Sequence, residues 1–218
     1  APAPDRRPAS WPVMLVFAAI AAVLVEVARI VSTLPGSGDS GLWFLRDLTF
    51  FVLPVLAAYF VVVRRMPWRR ILPLVVVVAV LALAVNLFPF SFDGATEVVV
   101  IIHLPVVLWF VVGAAYVGGE LRSSDRRMDF LRFTGEWIVY YALIALAGGV
   151  LVALMSAVLS LAVPEASSVV SGWVVPAGAA GAVLVAAWLV EAKKSVIENI
   201  APVLTAIFTR SEERRVGK

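Results

Sequence analysis

Six apolar stretches, each close to the length of a membrane crossing, constrain this chain more than any other feature: about 11–31, 43–63, 71–90, 98–117, 137–163 and 171–190. A helix of about 20 residues, rising 1.5 Å per residue, spans a hydrocarbon layer of about 30 Å. An open sheet in lipid would leave its N–H and C=O groups unpaired, so helices are the economical solution. Even Val75-Val76-Val77-Val78, which in a water-soluble chain suggests a buried strand, is expected to be helical here. Composition agrees, with 62% of residues hydrophobic and 15% charged, against about half and about a quarter in soluble domains. The expected fold class is all-α: a polytopic transmembrane helical bundle of about six spans over residues 11–190.

The loops supply an orientation. Those at 32–42, 91–97 and 164–170 contain no Lys or Arg, but do contain Asp39, Asp93, Glu97 and Glu165. The other side carries Arg6 and Arg7, then Arg64, Arg65, Arg69 and Arg70, then Arg122, Arg126, Arg127 and Arg132, and finally Lys193 and Lys194. Basic residues are retained on the cytoplasmic side of a membrane. Residues 1–10 are therefore expected to form a cytoplasmic N-terminal segment, and the chain to sit in a cell membrane. Trp11, Trp43, Trp68, Trp137 and Tyr140 fall near the span boundaries, where aromatic side chains anchor in the headgroup layer.

Several chemistries lack their residues. The chain has no cysteine and a single histidine, His103, so thiolate chemistry and a histidine-rich metal site are excluded. No Gly-rich phosphate loop, H-E-x-x-H or nucleophile elbow is present. No cofactor, enzymatic activity or nucleic-acid partner is expected. The partners expected are the lipid bilayer, anionic headgroups at the cytoplasmic Arg and Lys residues, and partner helices or further copies of the chain.

Ionisable groups inside a span are costly and are the natural candidates for function. Glu26 and Arg29 lie three residues apart on one helical face. Arg46-Asp47 open the second span, Asn86 closes the third and His103 lies early in the fourth. All six fall toward the external half of the bundle, where they could line a polar vestibule. Glu26 or Asp47 would accept a proton or cation, and His103 would titrate near neutral pH. The competing explanation is structural: neighbouring opposite charges neutralise each other, long side chains snorkel to the interface, and His103 simply packs. Pro54 is the best candidate for a kink, since a proline within a helix frees a carbonyl. Gly148, Gly149, Gly178 and Gly181 offer small surfaces for close helix packing.

Two stretches are amphipathic. Residues 120–133 mix both charges with apolar residues at helical spacing, fitting either a surface-lying helix or a solvated loop. Residues 191–209 place Ile197, Ile200, Val203 and Leu204 on one side and are expected to lead into a further region. The last nine residues, Arg210 to Lys218, match in every position the translation of a sequencing-library adapter (AGATCGGAAGAGCGTCGTGTAGGGAAA), and are expected to be an artefact.

With His103-Leu104 opening a span, and Met128-Asp129-Phe130-Leu131-Arg132-Phe133 leading into Trp137-Ile138-Val139-Tyr140-Tyr141, the chain resembles the domain-of-unknown-function 4153 family. The resemblance covers most of residues 11–209. It implies a bacterial multi-pass membrane protein, loosely permease-like, with further helices after Thr209, and it brings no catalytic residues. A transport-associated role is the first expectation. The alternative is a scaffold or sensor that does not transport and binds partner helices.

Overall fold

The computed structural model describes residues 10–33, 41–90, 95–161 and 166–194. Residues 1–9, the loop acids Asp39, Asp93 and Glu165, the amphipathic stretch beyond Lys194 and the segment 210–218 lie outside the described residues. Six helices are long and apolar enough to cross a membrane, and no strand occurs among the described residues. They are α1 (Trp11–Ser32), α2 (Gly41–Val63), α3 (Trp68–Leu87), α4 (Ala95–Tyr116), α5 (Ser124–Ser160) and α6 (Val170–Lys194). A single helical turn, Ala166–Val169, precedes α6. The chain is a multi-pass helical membrane protein.

Three boundaries depart from the apolar pattern. Helix α4 begins at Ala95, so Glu97 belongs to its first turn and is not a loop residue. A carboxylate there complements the exposed N–H groups and positive end of the helix dipole. Helix α5 is 37 residues long and starts well ahead of Trp137. The Ser123 side chain caps it by accepting from the Arg126 N–H at 3.4 Å, and Asp125 occupies its first turn. The stretch 124–133 is therefore the start of the fifth helix, continuous with its span. Helix α6 runs on to Lys194, past the expected end at Val190.

Pairs of residues at the helix ends establish that the spans alternate in direction. Arg46 at the start of α2 meets Glu97 at the start of α4. Asn86 at the end of α3 meets Asp47 at the start of α2. At the other end of the bundle, Arg64 of α2 pairs with Glu191 of α6, and Lys193 of α6 with Glu136 of α5. One end thus joins the starts of α2 and α4 to the end of α3 and is poor in arginine, and the other carries the arginine-rich segments around 64–70 and 122–132.

Helix α2 is the hub, with Val52, Leu53, Val55, Leu56, Tyr59 and Phe60 all buried. Helix α1 lays a narrow stripe on the bundle, Met14, Ala18, Ala21, Val25 and Ala28, at the spacing of one helical face. Three of the five are alanines, which lets backbones approach: the Cα of Gly181 on α6 lies close enough that an added Cβ would sit 3.9 Å from the Ala18 carbonyl oxygen. Helices α3 and α5 are peripheral, with none of their best spanning windows buried.

Both turns at the arginine-rich end are hydrogen-bonded caps. After α4, the Gly119 N–H reaches the Ala114 carbonyl at 2.9 Å and the Gly118 N–H reaches that of Ala115 at 3.0 Å, with both glycines at positive φ. This is the glycine-ended Schellman stop. After α2 the same pair of bonds forms, Met66 to Val61 and Arg65 to Val62, each at 3.1 Å. There the left-handed residue is Arg65, at φ 48°.

Candidate functional site

At the arginine-poor end, the second turn of α2, the first turn of α4 and the last turn of α3 bring four polar side chains together. Arg46 holds Asp47 through Nη2 to Oδ2 at 3.1 Å and Glu97 through Nη1 to Oε1 at 3.1 Å. Asn86 donates its amide to Asp47 Oδ1 at 2.8 Å and to the Ala82 carbonyl one turn back at 3.0 Å. The Phe90 ring centroid lies 4.9 Å from the guanidinium. Arg46, Asp47 and Glu97 are 8%, 3% and 5% exposed, so one cation and two carboxylates are nearly sealed from the surroundings. Of the six charged or polar residues expected at this end, three meet here, and Glu97 joins them. The sequence signal for Glu97 was ambiguous because it stands two residues inside the helix, next to a polar turn.

Glu26 and Arg29 form a separate pair, with Arg29 Nε donating to Glu26 Oε2 at 3.0 Å. The guanidinium also stacks on Trp173 of α6, 3.8 Å from the ring centroid. Glu26 Oε1 and Arg29 Nη2 are buried without a hydrogen-bond partner. The α6 segment they meet, Val170–Val174, is π-helical, with the Val175 N–H bonded to Val170. It lies just ahead of Pro176, whose missing N–H leaves the Gly172 carbonyl without its usual α-helical partner. His103 joins neither set. It is exposed, and its Nδ1 lies 2.8 Å from the Val99 carbonyl of its own helix.

The arginine-rich end holds a second, half-buried ion pair. Arg64 Nη2 lies 2.9 Å from Glu191 Oε2, and its guanidinium sits 4.8 Å from the Tyr116 ring centroid. Tyr59 Oη, Arg64 Nε and Glu191 Oε1 are buried with no partner. Arg64 reads in the sequence as one of four topogenic loop arginines; in the fold it is a tie between α2 and α6. Helix α2 therefore carries an arginine at each end, clamped to α4 at one and to α6 at the other.

Between the two clamps lies a cavity of about 530 Å³, walled by α2, α4, α5 and α6. Trp109 and Trp137 face each other across the α4–α5 junction, with ring centroids 4.5 Å apart. Trp109 Nε1 donates to Thr134 Oγ1 at 3.2 Å, and Trp137 Nε1 donates to the Val183 carbonyl at 3.1 Å. Aromatic contacts continue toward the arginine-rich end through Phe130, Phe133, Tyr116 and Phe60. Phe130 and Phe133 thereby dock the early turns of α5.

The glycines expected to mediate packing divide unevenly. A Cβ at Gly148, Gly149 or Gly178 would meet nothing within 4 Å, and one at Gly181 would reach Ala18. The tight approach is at Gly113, where a Cβ would lie 2.7 Å from Phe130 Cε1. The Gly113-Ala114-Ala115 run is the sequence signal for it, less conspicuous than the Gly148-Gly149 pair.

These features define a polytopic membrane protein whose central helix is clamped by an ion pair at each end. No family model, curated protein or solved structure matches the chain.

Proposed function

We propose that the chain is a permease-like, transport-associated protein of a bacterial inner membrane, of the kind its resemblance to the domain-of-unknown-function 4153 family implies, with its arginine-rich end in the cytoplasm. The supporting observation is the charge balance around Arg46: one guanidinium serves two carboxylates, Asp47 and Glu97, and all three are buried. An uncompensated charge shielded from water costs several kcal/mol. A proton or small cation taken up from the arginine-poor, external side offsets that cost. Asp47 accepts from both the Arg46 guanidinium and the Asn86 amide, so both of its oxygens are committed within the cluster. Glu97, held by Arg46 alone among these groups, is the carboxylate assigned to bind and release the proton. Exposed Arg69, Arg122, Arg127 and Arg132 meet anionic headgroups at the other end.

The test is cation flux into vesicles containing the purified chain and an entrapped pH-sensitive dye, driven by a potassium diffusion potential. Proton entry is expected, lowered about tenfold or more in Glu97→Gln, in line with the loss of an essential proton carrier. Equal flux in the parent, Glu97→Gln and Asp47→Asn would remove the cluster from any transport role.

One observation favours a scaffold instead: α3 and α5 cross the membrane with uncovered faces. In that role the chain co-purifies with a specific helical partner or with itself, and Gly148→Leu, on an open part of α5, abolishes the association without changing folding.

A further inference from the structure

We infer that the cavity between the two clamps binds a lipid-soluble molecule, a hydrocarbon chain bearing a hydrogen-bonding headgroup, and that a fatty acid is the simplest ligand of this class. This inference rests on the transport reading and gives it a substrate class. Three observations carry it. The cavity lies within the spanning parts of four helices, so its mouth meets hydrocarbon and not water. Its volume of about 530 Å³ falls within the range of small-molecule sites, about 300–1,000 Å³. Its wall is apolar and its polar atoms are largely committed: the Trp109 and Trp137 N–H groups are bonded within the bundle, and Thr134 Oγ1 donates to the Phe130 carbonyl at 2.9 Å.

One wall residue departs from this pattern. Thr49 contributes to the lining, and its hydroxyl oxygen is buried with no partner. A buried hydroxyl without a hydrogen bond costs about 1–3 kcal/mol, and a carboxyl or alcohol group at the end of the bound chain supplies the missing bond. Thr49 lies one turn beyond Arg46 on α2, so the ligand's polar end is placed toward the ion cluster and its chain toward the aromatic wall. Pro105 and Pro176 both line the cavity. Each lacks the N–H that would close the preceding helical turn, and each thereby eases the separation of α4 and α6 that makes room for the chain.

The experiment is photolabelling of the full chain in mixed detergent–phospholipid micelles with a palmitic acid carrying a terminal diazirine. Labelling is expected to saturate, to be competed by unlabelled palmitate, and to map to peptides containing 105–110 and 134–141. Val106→Trp and Ala179→Phe each fill the mouth from an exposed rim position. Saturable labelling should fall about tenfold in both, because the added rings exclude the ligand sterically. Val77→Trp, on the outer face of α3, should leave it unchanged. Thermal melting of every variant separates exclusion from misfolding. Labelling that never saturates, spreads over α3 and the outer turns of α5 beyond Leu143 and ignores both rim variants overturns the inference, leaving ordinary boundary lipid. Saturable labelling with no cation flux keeps the ligand site and discards transport, whereas flux without saturable labelling discards the ligand and keeps transport.

Discussion

At position 113 only a hydrogen fits. The Phe130 ring that would collide with a Cβ there is itself packed against Trp109, Tyr116 and Phe133, so moving it disturbs those contacts. Gly113→Ala is expected to lower stability by about 1–3 kcal/mol, the usual cost of overpacking, measured by detergent-denaturation midpoint. Gly148→Ala, with nothing within 4 Å, should be neutral or raise stability by about 0.5–1 kcal/mol, because alanine is the better helix former. Equal effects at the two positions would contradict the close approach of α4 and α5. Arg65 presents the opposite case, an L-residue in the left-handed region at φ 48°. Arg65→Gly relieves that strain and should gain about 1 kcal/mol, a shift visible in the same assay.

At the scale of the helix, the ion clusters behave as ties. Arg46→Met leaves Asp47 and Glu97 buried together without their cation, and the expected loss is about 3–5 kcal/mol. Glu97→Gln keeps an acceptor for the Arg46 N–H and removes the excess negative charge, so it should cost much less than Arg46→Met. A larger loss in Glu97→Gln would mean that the cluster is not overcharged. The early turns of α5 are a tie of another kind: Phe133 is 2% exposed and packs against Phe60 and Tyr116 at 5.3 and 4.5 Å between ring centroids. Phe133→Ala should cost about 3–5 kcal/mol, although the residue precedes the apolar block. Retention of the parent's unfolding midpoint would show that this part of α5 is not docked. That docking was half legible in the sequence. Phe130, Phe133 and Trp137 recur at helical spacing, but Asp125, Arg126, Arg127, Asp129, Arg132 and Glu136 interleave with them and hide the helix from any average of hydropathy.

For the whole molecule, the spans were legible because lipid imposes a length and an apolar composition that few other environments demand. The contacts between spans were less so. Apolar side chains gain little by leaving lipid for a neighbouring helix, so the sequence carries no strong preference for one face over another. Asp47, Arg46 and Asn86 stood out as charges or amides out of place in apolar blocks, whereas Glu97 and Glu191 sat at block edges and read as solvated. Orientation is open to a direct test, since the chain has no native cysteine. Single cysteines at Thr33 and Ser123 lie at opposite ends of the bundle. The one at Thr33 should react in intact cells with a membrane-impermeant maleimide and the one at Ser123 should not; the reverse pattern inverts the bundle.

The two indoles of Trp109 and Trp137, 4.5 Å apart and inclined at 46°, are near enough for their electronic transitions to couple. The folded protein therefore carries its own optical reporter: an exciton couplet in circular dichroism that collapses when α4 and α5 part, and that any molecule lodging against that wall would perturb without a dye or a label.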